Sequence, residues 1–165
     1  MRRHYEAARI VPALSERIFA YLDAHERLAA HMGKSSWMMG GGHMDMQTDD
    51  GQGQRVGSHI RLSGTAFGLP ISLDEVVTRH DPPTVKEWQT AGEPRLLVIG
   101  AYKMGLRLKP TGQQSNLSIF IDYDLPTSNA WLGTLFGDMY ARWCVRMMLD
   151  DAQKHFAPEQ TRSAA

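Results

Sequence analysis

Residues 116–130 read Asn116-Leu117-Ser118-Ile119-Phe120-Ile121-Asp122-Tyr123-Asp124-Leu125-Pro126-Thr127-Ser128-Asn129-Ala130. Leu117, Ile119, Ile121, Tyr123 and Leu125 fall on one face of an extended chain, and Ser118, Asp122 and Asp124 on the other; Phe120 is the exception. A period of two with one apolar face is the pattern of a half-buried strand. Pro126 stops the ladder because it has no N–H to donate. Thr127, Ser128 and Asn129 each offer an oxygen to cap a following helix. No proline then interrupts the chain until Pro158, so the spacing predicts one helix over 130–156. At 1.5 Å per residue it runs roughly 40 Å. A helix that long needs a broad partner, which the strands upstream can supply. The expectation is a curved sheet closed over a long helix, with a cavity between them.

Working outward, a short β-leaning segment at 5–11 ends at Pro12, and Ser15 with Glu16 opens a helix carrying Ile18, Phe19 and Leu22. Asp23 and Glu26 form a capping-box-like pair for a second short helix with Leu28, Ala29 and Met32, stopped by Gly33. Strand patterns follow at 37–46, 57–64, 69–79, 85–90 and 96–109. Gly40, Gly41 and Gly42 mark a bulge, a bend or a close backbone approach in the first of these. Asp50-Gly51-Gln52-Gly53 is a turn. Connections of hairpin length favour antiparallel pairing. The fold class is therefore α+β: six to seven antiparallel strands, two short helices after the first strand, and the long C-terminal helix. Residues 1–165 read as a single domain, since no linker or repeat divides them.

Composition narrows the function. Eighteen acidic and eighteen basic residues balance, which argues against nucleic acid as the main partner. No window approaches the ~18 apolar residues of a membrane span, so no stable membrane insertion is expected. Arg2 and Arg3 are followed by His4, Glu6 and Arg9 rather than a signal-peptide core. With one cysteine, Cys144, there is no internal disulfide, which fits a reducing, cytoplasmic setting and a buried, inert thiol. The histidines do not assemble into a metal site. His43 and Asp45 share a face that alternates with Met44 and Met46, and zinc needs three or four convergent ligands. There is no phosphate-binding loop, dinucleotide fingerprint or G-x-S-x-G nucleophile motif, and no cofactor is expected.

Three stretches resemble the START and polyketide-cyclase-like superfamily (SRPBCC), whose fold is the helix-grip. Ile10-Val11-Pro12-Ala13 through Arg17-Ile18-Phe19-Ala20-Tyr21-Leu22 is similar to that family's first strand, break and helix. Val76 through Asp81-Pro82-Pro83-Thr84-Val85 is similar to its strand end and turn. Ile119-Phe120-Ile121-Asp122-Tyr123-Asp124-Leu125-Pro126 is similar to its last strand before the gripping helix. The resemblance implies a sheet wrapped around the C-terminal helix over a deep apolar cavity. It also implies ligands such as lipids, quinones, hormones or polyketides, and in a few members cyclisation or aromatisation.

Candidate site residues follow from the inward faces. Tyr102, Met104 and Leu106 share the face of Leu117, Ile119 and Ile121, and Trp88 lies on the neighbouring strand. On the helix, the large apolar residues Leu132, Leu135, Phe136, Met139, Trp143 and Met147 are spaced three and four apart, so they are expected to face the sheet. Ten methionines suit an adaptable apolar site, although ordinary core packing accounts for many of these positions. Glu75 shares the face of Ile71, Leu73 and Val77. Either it points into the interior with a raised pKa, or a bulge at Val76 and Val77 flips the phase and turns it outward, or it pairs with an arginine at the rim. Tyr102 and Tyr123 bring hydroxyls that orient a ligand or bond to the backbone. The expected ligand-binding set is thus Glu75, Trp88, Tyr102, Met104, Tyr123, Leu135, Met139 and Trp143. Three functions stand: a binding protein for a hydrophobic or amphipathic small molecule; a cyclase- or hydratase-type enzyme; and an interaction module with a protein partner or a second copy of itself.

Overall fold

The computed structural model describes residues 2–24, 41–128 and 130–158. Seven strands are formed: β1 (Arg3–Val11), β2 (Met44–Thr48), β3 (His59–Ala66), β4 (Leu69–Asp81), β5 (Val85–Thr90), β6 (Tyr102–Thr111) and β7 (Gln114–Tyr123). Helix α1 (Ser15–Asp23) follows β1, and α2 (Ala130–Phe156) ends the fold. All pairings are antiparallel, in the order β1-β7-β6-β5-β4-β3-β2. The expected helix-grip is what forms, and α2 has the bounds that Pro126 and Pro158 set. The second short helix lies outside the described residues. The close approach suggested by the glycines is present at Gly42, where a Cβ would stand 1.8 Å from the Thr65 carbonyl oxygen.

The core divides into two clusters. One joins α1 and α2 to β1, β6 and β7 through Ile18, Leu22, Leu106, Ile119, Ile121, Val145 and Leu149. The other gathers Met44, Ile60, Leu62, Ile71, Leu73 and Val77 from β2, β3 and β4. Polar ties anchor α1 as well. Lys86 is fully buried, with its Nζ 2.6 Å from Asp23 Oδ1 and 3.3 Å from the Asp23 carbonyl at the end of α1. His80 Nε2 lies 3.0 Å from the same carboxylate, and the Tyr21 hydroxyl donates to Asp151 on α2 at 2.8 Å. Asp23 thus serves as the partner of Lys86 and His80.

Two sequence expectations are corrected. The face of α2 that meets the sheet is not the one that Leu132, Leu135, Phe136, Met139 and Trp143 share. Gly133, Gly137, Ala141, Cys144, Val145, Met148, Leu149 and Ala152 are buried, whereas Leu135 is 64% and Met139 48% exposed. Phe136 is also exposed, and Leu132 and Trp143 are half-buried. The cause is close packing. A Cβ at Gly133 would stand 2.4 Å from Pro126 Cδ and 3.0 Å from the Val98 carbonyl oxygen; one at Gly137 would stand 3.1 Å from that same oxygen. The second correction concerns 96–109: the strand begins only at Tyr102. Residues 96–101 leave the sheet and cross toward α2, tied by the Gly100 N–H to the Asp124 carbonyl at 2.8 Å.

Glycine to alanine within a helix normally stabilises by about 1 kcal/mol. Here Gly133→Ala should destabilise instead, by about 1–3 kcal/mol, the usual cost of overpacking. Urea denaturation measures this; a neutral or stabilising result would mean that Pro126 and Val98 do not sit against α2 this closely.

Candidate ligand cavity

The cavity lies at the seam between the two core clusters. From the sheet it is lined by Met44, Met46, Ile60, Leu62, Leu73, Glu75, Trp88, Tyr102, Met104 and Ile121. Leu96 and Ile99 come from the crossing segment, and Tyr140, Cys144, Met147 and Met148 from α2. Register explains the sheet wall. Val77, Trp88, Met104 and Ile121 pair in one row across β4, β5, β6 and β7, so all four point to the same face. Glu75 is two residues before Val77 and keeps that face. The register does shift, but between Val77 and Arg79, beyond Glu75. The inward reading of Glu75 is therefore the one realised, and the residue is 6% exposed.

Glu75 is the polar centre of the cavity. Its carboxylate accepts hydrogen bonds from the Tyr102 hydroxyl and from the Trp88 side chain. Burial pushes its pKa from 4.5 up to about 7, against the pull of those two donors and of the Lys86 charge. Burial and the Glu75 charge hold the Tyr102 phenol well above its usual value. On the opposite wall Tyr140 and Cys144 hydrogen-bond to each other. Cys144 and burial raise the Tyr140 hydroxyl, and burial pushes the Cys144 thiol up to about 12. Both phenols and the thiol are therefore neutral at physiological pH. Glu75 is the one cavity-lining residue described that ionises near neutrality.

The cavity measures about 70 Å3. That is roughly half the 150 Å3 of an engineered apolar cavity that takes benzene, and below the ~300–1,000 Å3 of drug-sized pockets. Five of its lining residues are methionines: Met44, Met46, Met104, Met147 and Met148. Methionine changes rotamer readily and reshapes apolar space, so these walls can widen around a guest.

The eight residues expected at the site do not all converge. Glu75, Trp88, Tyr102 and Met104 line the cavity. Tyr123 is buried in the neighbouring cluster, and its hydroxyl donates to Asp138, which also pairs with Arg3 at 3.1 Å. Leu135, Met139 and Trp143 line a groove on the outer side of α2 with Arg142 and Arg146, because the glycine face turns them away from the sheet. Sequence reasoning missed Tyr140, Ile99 and Met148, and placed Cys144 without giving it a role at the cavity. The signal was the small-residue spacing Gly133, Gly137, Ala141, which continues into Cys144 and Met148. His43 and Asp45 side chains are 60% and 78% exposed, as their alternation with Met44 implied. Among the described residues no group of three or more metal-binding side chains converges, and no helix is long and apolar enough to cross a membrane.

Residues 2–157 match the family described as polyketide cyclase / dehydrase and lipid transport. The chain belongs to this family. The description covers chemistry and transport of hydrophobic molecules, in keeping with an apolar cavity. Solved structures share the fold at low identity. Norcoclaurine synthase from Thalictrum flavum, in complex with dopamine and hydroxybenzaldehyde, is 15% identical with a TM-score of 0.65 over 94% of this chain and 86% of its own. A protein from Thermus thermophilus is 14% identical with a TM-score of 0.62, over 94% and 100% of the two chains. Major latex-like protein 151 from Panax ginseng is 10% identical with a TM-score of 0.59, over 95% and 99%. No curated protein matches the sequence.

The raised pKa of Glu75 has a consequence for stability. Between pH 4.5 and about 7 the folded state holds a proton that the unfolded state has released, so stability falls as pH rises through that window and is flat beyond it. Glu75→Gln removes this slope. The variant should match the wild type at pH 4 and exceed it at pH 8 by on the order of 3 kcal/mol, since each pH unit of that window contributes about 1.4 kcal/mol. Denaturation across pH checks this. A gap that does not change with pH would mean that Glu75 titrates near its ordinary value.

Proposed function

We propose that this protein binds a hydrophobic or amphipathic small molecule in the cavity between the sheet and α2, and that Glu75 with Tyr102 fixes the ligand's polar group. The observation that carries this reading is a single ionisable carboxyl, bonded by Tyr102 and Trp88, in a wall otherwise built largely of methionine, leucine and isoleucine. Few well-placed polar groups in an apolar pocket are the usual design of a small-molecule site. Family membership supports a ligand of lipid or polyketide character. Binding would draw on burial of apolar surface, at roughly 25 cal/mol per Å2 before ordering costs. Mass spectrometry of an organic extract of the purified protein, beside an unrelated protein from the same host, tests it. A stoichiometric apolar compound is expected. An empty extract, together with no uptake of added apolar compounds, would sink the proposal.

The position of the Glu75 pKa favours a second reading, proton transfer on the bound molecule. A general acid or base works best with a pKa near the working pH, and burial brings Glu75 to about 7. Glu75→Gln separates the two. An enzyme loses turnover by roughly 100-fold or more and keeps affinity for neutral ligands; a carrier shows an affinity change alone.

A further inference from the structure

We infer that the ligand is an apolar amine, held by its ammonium group on the Glu75 carboxylate. This rests on the small-molecule reading above and names the class of molecule. Hydrogen-bond direction and charge point to this class. An indole N–H can only donate, and the Tyr102 hydroxyl also donates to Glu75. Both protein partners thus treat the carboxyl as an acceptor. An ionised carboxylate has about four acceptor positions, so two are left after these bonds. Among the described residues, the cavity wall supplies no cation to fill them: no lysine, arginine or histidine lines it. Lys86, the cation whose charge reaches Glu75, has its ammonium 2.6 Å from the Asp23 carboxylate. Tyr140 and Cys144 are bonded to one another. The chemistry that complements this wall is therefore a donor carrying positive charge.

A buried carboxylate without a cation is costly, and pairing it with one that is fully hydrogen-bonded relieves that cost. An ammonium also distinguishes among apolar guests. A ligand carboxylate would place like charges together in a low-dielectric site, and a ligand carbonyl would offer an acceptor to the ionised carboxylate, which has no proton to donate. An alcohol can donate one neutral hydrogen bond, so it ranks between them.

The test is a matched series of n-hexylamine, 1-hexanol and hexanoate at pH 8, titrated into the full chain and followed by protein NMR at the Trp88 indole and the cavity methionine methyls. Hexylamine should bind at least roughly tenfold tighter than hexanol, the usual worth of a hydrogen bond to a charged group, and hexanoate weakest. In Glu75→Gln that preference should shrink to within about threefold, chiefly through loss of amine affinity. Hexanol or hexanoate binding as tightly as the amine in the wild type would overturn the amine inference and leave the cavity reading standing. An amine preference that survives in Glu75→Gln would overturn it as well, since the ammonium would then sit elsewhere. If none of the three perturbs the cavity signals, the small-molecule reading falls and this inference with it.

Discussion

The Val98 carbonyl and the Pro126 ring reach α2 only because residues 133 and 137 have no side chain, and this close approach governs the rest of the structure. It seats the first half of the helix directly against the crossing segment and the end of β7. Larger residues there would lift the helix off the sheet. Further along, Ala141, Val145, Leu149 and Ala152 continue the contact in the cluster that includes Ile119 and Ile121. Helix and sheet are thus well filled on the β1, β6 and β7 side. The β2 to β4 side builds its own cluster around Ile60 and Leu73. Two cores meeting at a seam leave space where neither supplies enough side-chain volume, and that space is the cavity.

The same packing decides which residues see the cavity. Once Gly137 and Ala141 face inward, helical spacing brings Tyr140, Cys144 and Met148 to the seam and turns Leu135 and Met139 out. On the sheet the pleat performs the selection. Trp88 and Met104 pair directly, and Glu75 and Tyr102 meet across the intervening strand β5 through their hydrogen bond. The polar ties that hold α1, Asp23 to Lys86 and His80, neutralise Lys86 within the protein. Among the described residues, that separation of charges leaves the cavity carboxyl without a counter-ion of its own.

Most of the fold was legible in the sequence, because alternation and proline punctuation are local signals. β7, β5 and α2 could be read from Leu117 to Tyr123, from Val85 to Thr90, and from the proline-free run before Pro158. Much of the sheet half of the site was legible for the same reason: Tyr102, Met104 and Trp88 sit on strands read from a period of two, whereas the facing of Glu75 stayed open until the bulge was placed beyond it, between Val77 and Arg79. The helix half was not. Reading an amphipathic helix by its large apolar residues assumes that these are what the core takes. Along the first half of α2 the core takes Gly133, Gly137 and Ala141, because the Val98 carbonyl and Pro126 occupy the volume that leucine would otherwise fill. The departure of 96–101 from the sheet was hidden too, since Leu96, Leu97, Val98 and Ile99 look like strand until tertiary contacts divert them.

Burial disfavours the ionised form of Glu75, and the form of that cost bears on its role. Tyr102 and Trp88 need an acceptor, since burying a hydroxyl and an indole N–H without one costs about 1–3 kcal/mol each. A glutamine carbonyl would satisfy both donors and would not titrate. What the carboxyl adds is therefore charge, available near neutral pH because burial has brought its pKa to about 7. Structural ion pairs also perturb pKa values, but in those the perturbed group has an opposite charge in contact, as Lys86 has Asp23. Glu75 has two neutral donors and an apolar cavity. Local choices that lower stability without a structural return are expected where the return is functional. Glu75 meets that description among the residues of the cavity wall.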